Sequence, residues 1–169
     1  MTSALGDIIF LSQTYRRNCE VISRAHYLSS DELRKRHLQL GIPVLIASTF
    51  VGTTIFGTLQ SEPAIGWKIA TGVISIGAAL LAGLQTLLNF SERVEKHKSA
   101  GASYSAIRRE LELFQLRFQH SPEGQRNEAL AALEKLHHEL TKLGQETPNI
   151  PDRHWDTANK GVPAVESPT

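Results

Sequence analysis

The side chains that most often carry out chemistry are few in this chain and form no recognisable catalytic pattern. There are seven histidines and one cysteine among 169 residues. His137 and His138 are adjacent, so on a helix they point in different directions and are poorly placed to bind one metal together. The single Cys19 cannot form an internal disulfide and has no second thiol with which to hold zinc or an iron–sulfur cluster. We therefore predict no metal site.

The remaining polar candidates favour structural roles. His26 and His37 lie beside cationic sequence without a cysteine or paired acids at ligand spacing, and we interpret them as residues at a membrane interface. Glu110 and Glu112 are interpreted as solvated charges. The sequence contains no glycine-rich phosphate loop, no nucleophile elbow and no metalloprotease histidine pair. The chain is predicted not to be an enzyme and to need no cofactor.

The distribution of charge is the most informative feature of the sequence. All 18 Lys and Arg and all 17 Asp and Glu residues lie outside two segments, 38–59 and 69–90, of 22 residues each. A helix of that length spans about 33 Å, enough to cross a hydrocarbon layer of about 30 Å. As core helices of a soluble bundle they would need more apolar cover than the polar remainder of the chain supplies. Both segments are predicted to be transmembrane helices.

The link between the two spans, residues 60–68, is short and contains the helix breakers Pro63 and Gly66. Its Trp67 suits a headgroup interface. A link of this length predicts an antiparallel hairpin. Basic residues are numerous near the outer ends of the spans, whereas the link has Lys68 alone. The positive-inside rule then places both termini in the cytoplasm. The interfacial basic residues are Arg34, Lys35, Arg36, Arg93, Lys96 and Lys98.

The segment before the first span is predicted to be an amphipathic helix. Its apolar residues recur at helical spacing over residues 8–28: Ile8, Leu11, Tyr15, Cys19, Ile22 and Ala25. Ser29 and Glu32 form a capping-box pattern that indicates the start of the next helix. That helix is expected to continue into the first span, where Pro43 favours a kink.

The segment after the second span predicts further helices, each with an apolar seam. The second span is expected to continue to Gly101, and another helix to run from Ser121-Pro122-Glu123 to Gly144. The seams are Tyr104, Ile107, Leu111, Phe114 and Phe118, and then Ala129, Leu133, Leu136, Leu140 and Leu143. Their coiled-coil-like spacing requires a packing partner. The two seams pack against each other, against the helix at 8–28 or against a neighbouring protomer.

The predicted fold is an all-α membrane protein, a two-helix transmembrane hairpin with amphipathic cytoplasmic helices before and after it. Residues 1–37 form the N-terminal helix and basic segment, and residues 38–90 the hairpin. Residues 91–144 form the later cytoplasmic helices. The tail, residues 145–169, contains four of the seven prolines and is predicted to be irregular, with its last dozen residues mobile.

One side of the second span carries small and polar residues when its sequence is placed at 100° per residue. We select as candidate pore-lining or helix-packing residues Thr71, Ser75, Ala78, Ala79, Ala82, Gly83, Gln85, Thr86 and Asn89. In one interpretation this side packs against another helix, with Gln85 in an interhelical hydrogen bond. In the other it lines an oligomeric conduit, because an unpaired amide in hydrocarbon is costly. The two can be successive states of one protein.

The layout of this chain resembles the SLATT domain family. The resemblance rests on the basic segment Arg34-Lys35-Arg36, the two spans with their short link, the charged segment Ser91–His97 and the helices after Tyr104. It extends from about Tyr15 to Trp155. It implies a two-transmembrane effector of prokaryotic conflict systems, which accompanies nucleotide-generating or nucleotide-sensing proteins and is thought to form pores that disable infected cells. It implies no catalytic residues.

The resemblance therefore implies an oligomeric pore-forming effector of bacterial anti-phage defence, silent until an upstream signal or partner acts. Its expected location is the inner membrane of a bacterium. Expected partners are membrane lipid, further copies of the chain and a nucleotide-generating or nucleotide-sensing protein, with no direct binding to nucleic acid. The alternatives are a passive membrane anchor that recruits a cytoplasmic partner, and a holin-like lysis protein.

Overall fold

The computed structural model describes residues 4–57 and 64–165, without the side chains of Phe56 and Glu123, and every regular element in these residues is helical. The helices are α1 (Ala4–Gly57), α2 (Ile65–Leu88), α3 (Phe90–Phe118), α4 (Arg126–Glu146) and α5 (Asp152–Lys160), with one turn of 3₁₀ helix at Glu123–Gln125 before α4. The all-α prediction is confirmed. Four of the nine residues of the predicted link, 60–63, lie outside the described residues.

Two helical stretches are long and apolar enough to cross a membrane. One is in α1, and the other runs from Ile65 to Phe118. Their apolar windows are hardly covered, with no residue of the first window buried and 6% of the second. Apolar helices at the centre of a soluble protein are buried instead. The chain therefore has two helices that could span a membrane.

The chain divides into two compact units. One contains the residues up to Ser30 and those from Glu95 onward, and we call it the bundle unit. The other contains Asp31–Val94, which includes both apolar spans, and we call it the apolar unit.

The core of the bundle unit is built by α1, α3 and α4. Its buried side chains are Leu5, Ile8, Cys19, Tyr104, Ile107, Leu111, Phe114, Phe118, Ala129, Leu133 and Leu136. The partly buried Tyr15, Ile22, Leu140 and Leu143 pack against them. The two seams after the second span therefore pack against each other and against the N-terminal helix, which identifies the partner that the spacing alone left open. Burial raises the pKa of the Cys19 thiol to about 12, so the thiol stays protonated at neutral pH.

The tail contains a helix, contrary to the prediction of an irregular segment. Ala158 of α5 and the following Val162 are buried against Val21 and Ala25 of α1. Arg17 donates hydrogen bonds to the carbonyls of Val162 and Pro163 and to Asn159 Oδ1. Arg24 donates to the carbonyl of Gly161 at 3.0 Å. These long-range contacts order a proline-rich segment whose local sequence alone predicted irregular structure. Residues 166–169 lie outside the described part of the chain.

Two predicted helix boundaries are wrong because tertiary contacts use the residues differently. No helix starts at Ser29: α1 continues through it, and the Ser29 hydroxyl donates to the carbonyl of Ala25, one turn earlier. Gly101 does not end a helix either, since it lies within α3. A Cβ there would be 3.2 Å from the Tyr27 ring and 3.3 Å from the Ser23 carbonyl oxygen. The glycine therefore allows α1 and α3 to approach each other closely.

The helix predicted over residues 121–144 is shifted toward the C-terminus. The Ser121 hydroxyl donates to the carbonyl of Arg117 instead of capping the following turn, and α4 begins only at Arg126. Gly144 lies inside α4, which ends at Glu146.

Candidate functional site

The surface of α2 in the apolar unit divides into three sectors. The least exposed sector, which we call the covered sector, contains Thr71, Ile74, Ser75, Gly77, Ala78, Leu81, Gln85 and Leu88. A second sector contains the large exposed side chains Ile69, Val73, Ile76, Leu80, Leu84 and Leu87. The third is exposed but small or polar, and we call it the small stripe: Gly72, Ala79, Ala82, Gly83, Thr86 and Asn89.

The structure thus separates the nine candidate residues of the second span into two groups. Thr71, Ser75, Ala78 and Gln85 lie on the covered sector, and the others belong to the small stripe. One helical wheel cannot make this distinction, because it shows which residues share a side and not which part of that side is covered.

α2 meets α1 at two places along its length. Gln85 Nε2 lies 3.2 Å from His37 Nδ1 and donates to it. Near the end of α1 and the start of α2, the Phe50 and Trp67 rings meet edge to face with centroids 5.9 Å apart. On α1 the less exposed residues recur at helical spacing: His37, Leu40, Gly41, Val44, Ala47, Val51, Gly52 and Thr54.

Gly41 is the position of closest approach next to the Gln85 amide. A Cβ at Gly41 would lie 3.1 Å from Gln85 Nε2. The missing side chain therefore leaves the space in which the amide reaches His37. In this contact the His37 Nδ1 acts as acceptor, which requires the neutral tautomer with the proton on Nε2.

The hydroxyl groups of the two spans bond within their own helices. Thr49, Thr53 and Thr54 donate to the carbonyls four residues earlier, each at 2.8 Å. On α2, Ser75 donates to Thr71 and Thr86 donates to Ala82 in the same way. These residues need no outside partner for their hydroxyl hydrogens, so their presence does not by itself indicate an aqueous path.

Asn89 separates α2 from α3, where the sequence predicted one continuous helix. Its backbone has φ 42° and ψ 44°, the left-handed region. Asparagine adopts this conformation more readily than most residues with a side chain. Its side-chain amide donates to Glu92 Oε2. A cleft of about 290 Å³ follows, lined by His37, Gln85, Thr86, Asn89, Phe90 and Ser91.

The predicted interfacial cations are all exposed. In the apolar unit these are Arg34, Lys35, Arg36 and Arg93, and in the bundle unit Lys96 and Lys98. Arg36 forms an ion pair with Glu32 one turn earlier, at 2.5 Å. Ion pairs between exposed side chains contribute little to stability, so pairing with Glu32 does not prevent Arg36 from interacting with anionic groups.

The structure also contains a polar pair that the sequence did not predict. His26 is 1% exposed and His97 is 5% exposed, and their Nδ1 atoms lie 2.9 Å apart inside the bundle unit. The interfacial interpretation of His26 is therefore wrong. The two residues are 71 positions apart, and no spacing in the sequence relates them. His37 is half-buried beside Gln85.

Comparison of the chain with known protein families, with curated proteins and with solved structures gave no match.

Proposed function

We propose that this chain is a bacterial membrane effector whose apolar unit inserts as an antiparallel two-helix hairpin. Copies associate through the small stripe of α2, and the assembled spans permeabilise the membrane. The single observation that carries this proposal is the small stripe itself, which stays uncovered beside a sector of large side chains.

The order of the contacts between α1 and α2 supports the hairpin. His37 lies before the first span and meets Gln85 near the end of the second, whereas Phe50 meets Trp67 near the start of α2. Contacts in this order belong to antiparallel helices. With the exposed cations Arg34–Arg36 and Arg93 at one end, the positive-inside rule sets both termini in the cytoplasm.

The chemistry of the small stripe supports association between copies. Helices in lipid gain nothing from hiding apolar surface, so they associate where small residues allow their backbones to approach closely. Gly72, Ala79 and Gly83 offer such a surface, and a Cβ at either glycine meets no atom within 4 Å. Since two spans cannot enclose a channel, conduction needs several copies around an axis.

Gln85 distinguishes a closed from a conducting arrangement. In the structure its amide is held by His37 within the chain. Lining a conduit requires Gln85 to leave this partner for water or for another copy. A signal that favours the second arrangement by a few kcal/mol is enough to change which one predominates.

The biological role follows from the resemblance to the SLATT family: anti-phage defence at the inner membrane, triggered by an upstream signal or partner protein. The bundle unit is the natural receiver of that signal, because its α1 and α3 helices lead directly into the two spans.

A passive anchor is the second candidate, and one observation favours it. The hydroxyl groups of the spans donate within their own helices, and the Gln85 amide donates to His37. A span whose polar groups are all satisfied can remain in lipid without assembling. In this candidate, unrelated apolar helices can replace both spans without loss of function.

Membrane depolarisation in bacteria that express the full chain at graded levels tests the proposal. High density in the membrane replaces the unidentified signal, because association follows mass action. The wild type is expected to depolarise cells above a threshold level. Ala79→Leu and Gly83→Leu should insert equally but raise that threshold at least tenfold. Ala70→Leu, an exposed alanine of α2 outside the stripe, is the matched control and should behave as wild type.

Two results would contradict the pore. One is a wild-type chain that inserts but never depolarises at any level. The other is a chain with both spans exchanged for unrelated apolar helices that retains full activity.

A further inference from the structure

A groove lies between α3 and α4 in the bundle unit, away from the side of α4 that contacts α1. Its volume is about 330 Å³. The apolar part of its lining consists of Leu113, Phe114, Phe118, Ala132 and Leu136. Two leucines of α3 increase the apolar surface here: Leu113 in the lining is 65% exposed, and Leu116 on the adjoining flank is 74% exposed. Exposed apolar surface bordered by charge is typical of a protein contact.

The charged lining of the groove is mixed in sign. It comprises Glu110 and Arg117 from α3 and Lys135 and Glu139 from α4. The four formal charges cancel. Arg117 already pairs with Glu128 at 2.5 Å and lies 5.1 Å from the centroid of the Phe118 ring. A strongly acidic or basic partner would meet a like charge at this rim, which lowers its affinity.

A small molecule is a poor occupant for the same groove. Binding pockets for small ligands have convergent polar groups that fix the orientation of the ligand within an apolar cavity. Here the charged lining residues are all exposed to solvent.

We propose that this groove is a contact between two copies of the chain, related by a twofold axis. A twofold contact requires one surface to be complementary to itself. The surface meets this requirement in shape, because the exposed Leu116 lies three residues after Leu113 of the lining, on a neighbouring part of α3, and can enter the groove of a second copy. It meets it in charge, because Lys135 of one copy can oppose a carboxylate, Glu110 or Glu139, of the other.

This contact rests on the proposed function in one respect, since it supplies a cytoplasmic step in the association of spans. Pairing of two bundle units raises the effective concentration of the attached apolar units. Small stripes that associate weakly on their own then meet more often. The groove would thus set the level of chain at which assemblies form.

The test measures self-association of the full chain in detergent micelles by mass photometry across a concentration series. The wild type should form dimers. Lys135→Glu and Leu116→Glu should each raise the dimer Kd at least tenfold. Glu134→Lys is the matched control, because Glu134 is an exposed charge on α4 that lies outside the groove lining. It should leave the Kd within twofold of wild type.

Two further measurements separate the contact from loss of folding. Copies with Lys135→Glu should pair with copies carrying Glu110→Lys and Glu139→Lys together, although neither pairs well with itself. Leu116→Cys should cross-link between copies with a short bis-maleimide, whereas the buried Cys19 of the wild type should not. Helical content by circular dichroism should be unchanged in every variant.

Outcomes for the groove and for the pore are distinct. Groove variants that dimerise with wild-type Kd, absence of the Leu116→Cys cross-link, or a wild type that stays monomeric throughout would each overturn this contact. If groove variants keep wild-type dimers while Ala79→Leu abolishes depolarisation, the groove proposal is wrong and the pore remains supported. If dimers form as expected and no variant or wild type depolarises cells, the contact holds and the pore is wrong.

Discussion

His26 and His97 face each other in the bundle unit, with Nδ1 of one ring 2.9 Å from Nδ1 of the other. One of these nitrogens must donate and the other accept, so the pair is compatible with two neutral rings. The His26 ring also stacks on Tyr104, with centroids 5.8 Å apart. Burial, and then the charge of His97, lower the pKa of His26 from 6.5 to about 4.

Acidification is therefore expected to destabilise the bundle unit. Between pH 6.5 and about 4 the unfolded chain binds a proton at His26 that the folded chain does not. The free energy of unfolding should fall as the pH falls through this window, by about 3 kcal/mol in total for this group. Thermal unfolding of the full chain in detergent, followed by circular dichroism at pH 7.5, 6 and 5, measures the effect.

His26→Gln keeps a hydrogen-bonding group next to His97 and removes the titration, so its unfolding temperature should depend less on pH than that of the wild type. His138→Gln, at an exposed histidine of α4, is the control and should keep the wild-type slope. Equal slopes for His26→Gln and the wild type would show that the buried pair does not control acid stability.

Gly41→Val is expected to disrupt the contact between α1 and α2. The new Cβ would lie 3.1 Å from Gln85 Nε2 and displace the amide from His37. Overpacking of this kind costs about 1 to 3 kcal/mol. The measurement is unfolding by sodium dodecyl sulfate, followed by the fluorescence of Trp67 in a Trp155→Phe background. Trp67 reports on this contact because its ring lies against Phe50.

Gly52→Val is the matched control for Gly41→Val. It lies about three turns further along the same helix, and a Cβ there meets no atom within 4 Å. Its unfolding midpoint should stay close to that of the wild type. Adding Gln85→Ala to Gly41→Val should restore part of the lost stability, since the displaced group is then absent. Equal loss in both valine variants would mean that the Gln85 contact is not the cause.

Arg17→Ala is expected to loosen the end of the tail without unfolding the bundle. Arg17 donates to the carbonyl of Pro163 and to Asn159 Oδ1, both at 2.8 Å. Loss of these charge-assisted bonds at an exposed site should cost about 1.5 kcal/mol, which corresponds to roughly tenfold faster amide exchange over residues 158–165. Hydrogen–deuterium exchange with mass spectrometry measures this directly.

Arg16→Ala serves as the neighbouring control. The nearest carboxylate to Arg16 is that of Glu112 at 3.7 Å, and both side chains are partly exposed. This variant should leave exchange in the tail unchanged. No change of exchange in either variant would assign the position of α5 to apolar packing alone. Faster exchange of the tail in both would mean that the Arg17 bonds are not the specific cause.

The sequence was sufficient to predict an element where the same kind of side chain, apolar or uncharged, recurs along one helix. The absence of charge over 38–59 and 69–90 predicted the two apolar helices, because charges in lipid are costly. The spacing of Ala129, Leu133 and Leu136 predicted the buried side of α4, since residues at these intervals share a face.

The sequence was insufficient where a residue's role depends on distant partners. Gly101 was predicted to end a helix because glycine often does so. In the structure it lies within α3, where its lack of a side chain makes room for the Tyr27 ring. The prolines of the tail predicted irregular structure, but Arg17 and Arg24 hold the segment that follows α5. Likewise, four of the nine candidate residues on α2 lie on its less exposed side, and only three-dimensional packing shows which four.

Asn89 provides a prediction about the boundary between α2 and α3. Its left-handed backbone, at φ 42°, costs a β-branched residue about 1 to 2 kcal/mol, whereas glycine adopts it freely. Asn89→Val should therefore lower the stability measured with the Trp67 fluorescence assay by that amount. Asn89→Gly should stay within about 0.5 kcal/mol of the wild type, although it loses the side-chain bond to Glu92.

The control for Asn89 is Leu87→Val, two residues earlier on an exposed part of α2 with ordinary helical backbone. It introduces the same β-branched side chain without the left-handed conformation, so its cost should be only the small difference in helix propensity. If Asn89→Val and Leu87→Val are equally stable, the backbone at residue 89 can become helical at no cost. In that case the break between α2 and α3 is not imposed by the fold, and a continuous helix from Ile65 to Phe118 is as stable as the interrupted one.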